Sequence, residues 1–356
     1  MQRKKQINVL IVDDSLSMRK MLEDHLLRDP DIKIMGKAKD PYEAAAFLKK
    51  QVPDVITLDI EMPKMDGLTF LKKIMSQHPI PVVIISSLTN KGATETIKAL
   101  EYGAVEIIQK PFIKEGQEEQ SIQFIIDKVR SASLARVKSI SQKQLLAPPK
   151  FSADAVLSKK PVPVRNLPKQ KVVAIGASTG GTVAIQQILE ELPADCAPIV
   201  IVQHMPVHFT KAFATRLNQN CNIFVKEAED GDVLRRGVAL ISRGDKHLVV
   251  KQLGENYVVR YLDGPLVNRH KPSVDVLFRS ISNHLGAQAV GIILTGMGDD
   301  GARGLLEMKE SNAITIAQDE KSSIIYGMPK EAIKLGAQKH ILSLDEIANF
   351  IIKLDK

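Results

Sequence analysis

The sequence predicts an α/β protein of two domains: five βα repeats in the N-terminal half and a doubly wound, mostly parallel α/β unit with an antiparallel hairpin in the C-terminal half. Three observations carry that prediction. The chain has 356 residues, more than one hydrophobic core usually serves. Short β-branched apolar runs alternate with amphipathic stretches in both halves, as in βα units that feed a parallel sheet. Between 129 and 171 the alternation stops and the charge turns one-sided, with 10 basic residues against 1 acidic; residues 1–128 hold 19 of each and residues 172–356 hold 20 basic and 21 acidic. The net charge of +8 therefore resides in a connecting segment. The expected boundaries are 1–128 for the first domain, 129–168 for a basic flexible linker and 169–356 for the second domain.

Composition excludes several classes. At 44% hydrophobic and 25% charged residues, the chain is neither disordered nor membrane-embedded as a whole, and no apolar run is long enough to span a bilayer. The opening MQRKKQINVLIVDD begins like an export signal, but Asp13 and Asp14 cut its apolar stretch short and no small-residue cleavage site follows. A cytoplasmic location is expected. Cys196 and Cys221 form neither a CxxC motif nor a disulfide framework. A near-neutral second domain without a helix-turn-helix pattern argues against nucleic acid as a partner. The linker, rich in Ser, Lys and Pro, reads as solvated, self-repelling chain, with contact to an acidic partner as the other reading.

In the first domain the strands are INVLIV, DIKIMG, DVITLD, PVVIIS and AVEIIQ, separated by stretches such as SLSMRKMLEDHLLR and PYEAAAFLKK. Chemistry in such sheets gathers at the carboxyl ends of the strands. There stand Asp13 and Asp14, then Asp59, then Ser86, then Lys110 followed by Pro111. Crowded carboxylates repel one another unless a divalent cation joins them, and hard oxygen ligands favour magnesium. A phosphoryl group arriving on one of them would meet the cation, the Lys110 ammonium and the Ser86 hydroxyl. A single Asp after a strand would read as a helix cap; five polar residues at one edge in this order read as a site.

The segments VDDS, LDIEMPKMDG, IISS and KPF closely resemble the receiver domain of bacterial response regulators, over residues 5–128. The resemblance implies that Asp59 is the phosphoacceptor, supplied by a histidine kinase. It implies that Asp14 and Asp59 ligate magnesium with the backbone carbonyl of Glu61, that Asp13 supports the metal site, and that Ser86 and Lys110 are switch residues. Ile107 departs from the aromatic residue that many receivers carry.

In the second domain KVVAIGA, APIVIVQH, AVGIILTG and AITIAQ read as buried parallel strands. VALIS, HLVVKQL and YVVRYL alternate more clearly and read as an antiparallel hairpin built onto the sheet. Gly176-Ala177-Ser178-Thr179-Gly180 fits the nucleophile-elbow pattern G-x-S-x-G before the helical stretch TVAIQQILEEL. Glycines before a helix also cradle phosphate, so the motif alone leaves both readings open.

His204 follows the second of these strands, and Asp299 and Asp300 follow a later one, so a serine, an imidazole and a carboxylate converge at one sheet edge. Backbone amides near Thr179, at a helix start, are candidates for binding an oxyanion. A buried structural histidine is the other reading of His204. The chain order Ser, His, Asp differs from the Ser, Asp, His of α/β-hydrolases; His340 would restore that order but reads as the start of an edge strand. Asp195 lies near the spacing of a ribose-binding acid but within the turn PADCAP, not at a strand end.

Together IGASTGG, QHMP, PSVDVLF, LTGMGDDGA and YGMPKEA resemble the catalytic domain of the CheB family, the chemotaxis receptor glutamate methylesterases, over nearly all of 170–352. An N-terminal receiver matches that family's layout. The resemblance implies a hydrolase-type domain with the triad Ser178, His204 and Asp300, Asp300 being preferred to Asp299 because it directly precedes Gly301. It implies an oxyanion site of backbone near Thr179 and Met297, and magnesium in the receiver with no cofactor for the esterase. The implied reaction is phosphorylation-activated hydrolysis of glutamate methyl esters, and deamidation of glutamines, on methyl-accepting chemoreceptors. ISRGDKHL departs from the family's usual APG-type sequence, so no binding role is expected for His247. The alternative class is a response regulator whose second domain only binds a partner or a nucleotide.

Overall fold

The structure is a computed structural model and describes residues 6–62, 67–86, 90–110, 118–135, 137 and 171–354. It divides into two compact units, one within Met1–Pro149 and one within Lys150–Lys356. Pro111 and most of the expected linker lie outside the described residues. Among the described residues, no helix is long and apolar enough to cross a membrane.

The first unit alternates β1 (Ile7–Val12), α1 (Leu16–Leu26), β2 (Ile32–Ala38), α2 (Pro41–Leu48), β3 (Val55–Asp59), α3 (Gly67–Gln77), β4 (Val82–Ser86), α4 (Asn90–Glu101), β5 (Glu106–Gln109) and α5 (Glu118–Ser133). Its sheet is parallel throughout, in the order β2-β1-β3-β4-β5. Every residue of β3 and β4 is buried, as expected for strands covered on both faces. Helix starts follow local chemistry: Ser15 Oγ accepts from the Met18 N–H at α1, and Asp40 Oδ1 accepts from the Tyr42 and Glu43 N–H groups at α2. Helix α5 runs past the expected boundary at 128 to Ser133, with Val129 and Ala132 fully buried. Arg130, counted with the linker's basic residues, in fact hydrogen-bonds back to Asp29 and Asp31 of this unit. A charge count cannot see that pairing.

The second unit comprises β6 (Val172–Ala177), α6 (Gly181–Glu190), β7 (Ile199–Gln203), α7 (Val207–Asn220), β8 (Phe224–Glu227), β9 (Val238–Ile241), β10 (His247–Leu253), β11 (Asn256–Leu262), α8 (Val274–Leu285), β12 (Ala289–Ile293), α9 (Ala302–Glu310), β13 (Ile314–Gln318), α10 (Met328–Lys334), β14 (His340–Leu342) and α11 (Leu344–Lys353). A seven-stranded parallel sheet runs β14-β13-β12-β6-β7-β9-β8.

The expected hairpin needs correction in one member. HLVVKQL and YVVRYL pair as the antiparallel β10-β11, a separate two-stranded sheet, whereas VALI is β9 and joins the main sheet in parallel beside β7. Burial explains the difference: Ala239, Leu240 and Ile241 are all buried, while β10 is buried at its start and exposed over its last three residues. Strand β8 escapes a sequence reading because FVKE is short and half charged, as protected edge strands are. Leu248, Val250 and Val259 of the hairpin pack with Leu277, Phe278 and Ile281 of α8 into the core, and the Val250 N–H donates to Ser280 Oγ at 2.9 Å. The neighbours β12, β6 and β7 at the middle of the sheet carry the residues at its reactive edge.

Candidate functional site

Ser178 is the first residue after β6. The chain turns sharply there because Gly180 takes the left-handed conformation, φ +79°, before α6 begins. The Ser178 N–H donates to Thr295 O at 3.0 Å and the Gly181 N–H to Ser178 O at 2.7 Å. Two backbone donors that a phosphate cradle would use are thus engaged within the protein, which favours the nucleophile reading of the loop. The returning loop after β12 passes so close that a Cβ on Gly296 would stand 2.7 Å from Ser178 Cβ. Thr179, buried, and Met297, half-buried, flank this approach as the residues after Ser178 and Gly296.

His204 follows β7, its N–H donating to Ala177 O at 3.0 Å. Asp300 follows β12. The two side chains meet across the end of the intervening β6, with His204 Nε2 2.9 Å from Asp300 Oδ2 and both groups buried. Asp300 also accepts at Oδ2 from the Val274 N–H (2.7 Å) and at Oδ1 from Ser273 Oγ (2.7 Å) and Asn268 Nδ2 (2.9 Å). Burial by itself would raise the Asp300 pKa, but the donors of His204, Asn268 and Ser273 hold it well below the usual carboxylate range. Its place at the start of α8 adds the favourable end of the helix dipole. Asp299 is exposed and stands apart from this network.

An ionised Asp300 fixes the imidazole proton on Nε2, which leaves Nδ1 with its lone pair. Nδ1 is buried and has no hydrogen-bond partner among the described residues. In the usual serine triad the carboxylate holds Nδ1 and the serine faces Nε2, whereas here the carboxylate holds Nε2. No sequence signal distinguishes the two.

At the edge of the first sheet, Asp13, Asp14 and Asp59 each offer a carboxylate oxygen within 4.8 Å of the others. Lys110 Nζ bridges two of them, 2.8 Å from Asp13 Oδ2 and 2.7 Å from Asp59 Oδ2. Three carboxylates against one ammonium leave the cluster negative, and an all-oxygen donor set fits a hard divalent cation. Burial, opposed by the Lys110 hydrogen bond and reinforced by Asp13, raises the Asp59 pKa above its ordinary value. Burial works against the charged form of Lys110, but the hydrogen bonds it donates to Asp13 and Asp59 outweigh it and raise the Lys110 pKa. The Glu61 N–H donates to Asp59 Oδ1 at 3.1 Å. Ser86 Oγ accepts from Thr96 Oγ1 at 2.6 Å, and Ile107 is buried in β5.

The profile of the CheB methylesterase family matches residues 173–351, and that of the response regulator receiver domain matches residues 9–120. A Geobacter metallireducens protein named protein-glutamate methylesterase/protein-glutamine glutaminase 3 is 54% identical over 354 residues, 98% of this chain and 99% of its own. The chain belongs to the CheB methylesterase family. A Rhodospirillum rubrum protein named protein-glutamate methylesterase/protein-glutamine glutaminase 2 is 52% identical over 359 residues, 98% of each chain. The crystal structure of the Thermotoga maritima CheB methylesterase catalytic domain is similar with a TM-score of 0.51 at 35% identity, covering 52% of this chain and 98% of that one.

Several side chains around this CheB site escape a sequence reading. Gln203 Nε2 donates to Ser178 O at 2.9 Å and to His204 O at 3.3 Å, tying the backbones of two strand ends together. Thr295 Oγ1 donates to Thr179 O at 3.0 Å and accepts from the Ile325 N–H at 2.8 Å. His247 is a brace: Nδ1 accepts from the Ser273 N–H at 3.2 Å and Nε2 donates to Pro265 O at 2.9 Å. His270 stacks on His204. Arg19 Nη1 donates to the carbonyls of Asp13 (2.7 Å) and Asp14 (3.0 Å) in the receiver. His340 lies exposed on the edge strand β14, separated from β6 by β13 and β12, so it does not restore a Ser, Asp, His order.

Proposed function

We propose that Ser178, His204 and Asp300 carry out the reaction of this family member, the hydrolysis of glutamate methyl esters and glutamine side-chain amides on chemoreceptors, linked to phosphorylation of the receiver. Ser178 Oγ attacks the side-chain carbonyl carbon while its proton passes to His204 Nδ1. The tetrahedral adduct collapses, the bond to the methoxy oxygen breaks, and Nδ1 returns the proton to give methanol. Water then attacks the acyl-serine with the same base and releases glutamate; for a glutamine substrate the leaving group is ammonia. Asp300 stays ionised and stabilises the imidazolium. Backbone N–H groups near Thr179 and Met297 receive the oxyanion. The observation that carries this reading is the buried His204–Asp300 pair, in which one imidazole nitrogen is committed and the other has no partner among the described residues.

In the receiver, which extends from residue 1 through α5, Asp59 accepts the phosphoryl group from a histidine kinase. Asp14, Asp59 and the Glu61 carbonyl, with Asp13 in support, would hold magnesium, which would supply positive charge to the phosphoryl oxygens. Lys110 and Ser86 read the phosphorylated state. A basic linker up to about 168 joins the receiver to an esterase of 169–356, and the protein works in the cytoplasm beside its kinase. The test is methanol release from methylated chemoreceptor, with and without a small-molecule phosphodonor. The phosphodonor raises the rate of the native chain, and Ser178→Ala removes release by roughly three orders of magnitude or more while the chain stays folded. Wild-type release from Ser178→Ala would end the serine mechanism.

A further inference from the structure

Residues Val267 to His270 form a tight turn in which the Val267 N–H donates to His270 O at 3.0 Å and the His270 N–H to Val267 O at 2.9 Å. Its two central residues, Asn268 and Arg269, both have positive φ, 50° and 68°. Residues with a Cβ adopt that conformation at a cost, and such strain persists where the surrounding structure makes use of it. Here one turn touches both members of the buried pair. Asn268 Nδ2 donates to Asp300 Oδ1 at 2.9 Å and to Asp275 Oδ2 at 2.5 Å. The His270 ring lies flat on the His204 ring, with centroids 3.7 Å apart and planes within 9°.

A single hydrogen bond at Nε2 does not fix an imidazole. The ring can swing about its Cβ–Cγ bond within the angular tolerance of that bond, and Nδ1 swings with it. Proton transfer from a serine hydroxyl demands that the accepting lone pair stay in line, so a small rotation is expensive in rate. A parallel ring at van der Waals distance removes that freedom, because rotation of His204 would drive its edge into the neighbour.

We infer that His270 is a positioning residue for the hydrolysis: its stacked ring holds the plane in which His204 presents Nδ1 to Ser178, while Asn268 on the same turn steadies Asp300. The inference rests on the triad reading above. His270 acts through His204 and takes no proton from the substrate.

The test uses the full chain with phosphodonor and compares His270→Ala, His270→Phe and Ser178→Ala. Three readouts serve: kcat and KM for methanol release, the melting temperature, and the proton NMR resonance of the His204 Nε2–H, assigned by its loss in His204→Ala. His270→Ala is expected to lower kcat roughly 10- to 100-fold with KM within about twofold, and to broaden the resonance. His270→Phe, which keeps a flat ring but no heteroatom, restores both kcat and the sharp resonance. Wild-type kcat in His270→Ala overturns the inference. So does a folded His270→Phe that is as slow as His270→Ala, since a ring plane is then not what His204 needs. If His270→Ala does not fold, His270→Phe decides alone: kcat within about threefold of the native chain upholds the inference and a larger loss overturns it. Activity surviving in Ser178→Ala removes the triad itself, whereas an inert Ser178→Ala beside a fully active His270→Ala removes only the role of His270.

Discussion

Asp59 and Asp300 stand at equivalent places, each at the carboxyl edge of a parallel sheet and each almost completely buried, yet their environments push them in opposite directions. The Asp59 pKa is raised and the Asp300 pKa is lowered. Burial acts with the same sign on both, so the difference lies in the donors. Asp59 shares the Lys110 ammonium with Asp13 in a cluster that remains negative. Asp300 has donors of its own from His204, Ser273, Asn268 and the first N–H of α8. On the proposed roles, the carboxylate that would accept a phosphoryl group and hold a cation is left short of hydrogen bonds, and the one that would stay charged throughout the reaction is saturated with them. The contrast teaches that solvation by the fold, more than depth, assigns the role of a buried acid.

The strongest way to break this contrast is Asp300→Asn, which keeps the shape and removes the charge. We expect kcat for methanol release to fall about a thousandfold or more with little loss of structure, because the imidazole loses the partner that fixes its tautomer. A loss under about tenfold means that saturation of Asp300 serves the fold and not the reaction.

The next effect concerns the shared ammonium. Lys110→Ala leaves Asp13 and Asp59 facing each other without compensation, and with a fifth of the lysine side chain exposed, 19%, the loss of stability in the receiver is expected at about 3 kcal/mol. Added magnesium should recover part of it, since a divalent cation relieves the same repulsion. Denaturant titrations of native chain and variant, each with magnesium and with chelator, measure both quantities. A variant indifferent to magnesium would argue that the cluster is held apart by geometry alone.

The smallest effects are the most direct reading of sign. Asp300, with its folded pKa depressed, contributes stability that is present above the ordinary carboxylate value of about 4 and lost as pH falls through the folded value. Asp59, with its folded pKa raised, favours the fold below the ordinary value and withdraws that contribution as pH rises through the folded value. Stability measured against pH should therefore show the gap between native chain and Asp300→Asn closing in acid. Asp59→Asn should stabilise the receiver more near neutrality than in acid. Parallel slopes for the two variants would erase the distinction.

Much of this arrangement is legible in the sequence because a doubly wound sheet gathers the ends of its strands. Once KVVAIGA, APIVIVQH and AVGIILTG are read as parallel strands, Ser178, His204 and the pair Asp299 and Asp300 fall on one edge, the family resemblance choosing Asp300, and the same logic collects Asp13, Asp59, Ser86 and Lys110. What escapes is set by tertiary context. VALI carries no mark that separates a central parallel strand from a hairpin arm, because its burial on both faces depends on β7 and β8 beside it. The choice of Nε2 for Asp300 depends on ring orientation, which no spacing encodes. Asn268, His270 and Ser273 come from a loop whose path is fixed by its contacts, so their approach to the His204–Asp300 pair has no periodic signature. Arg130 reads as linker charge until α5 folds it onto Asp29.

The position of β6 between β7 and β12 also bears on synthesis. Ser178 and His204 leave the ribosome early, but Asp300 follows 96 residues after His204, and the supports Asn268 and Ser273 also come later. A chain arrested before β12 carries the hydroxyl and the imidazole but lacks the carboxylate that pairs with His204 Nε2. On the proposed mechanism, the nascent protein therefore gains hydrolytic competence only once the neighbouring strand has docked, late in translation.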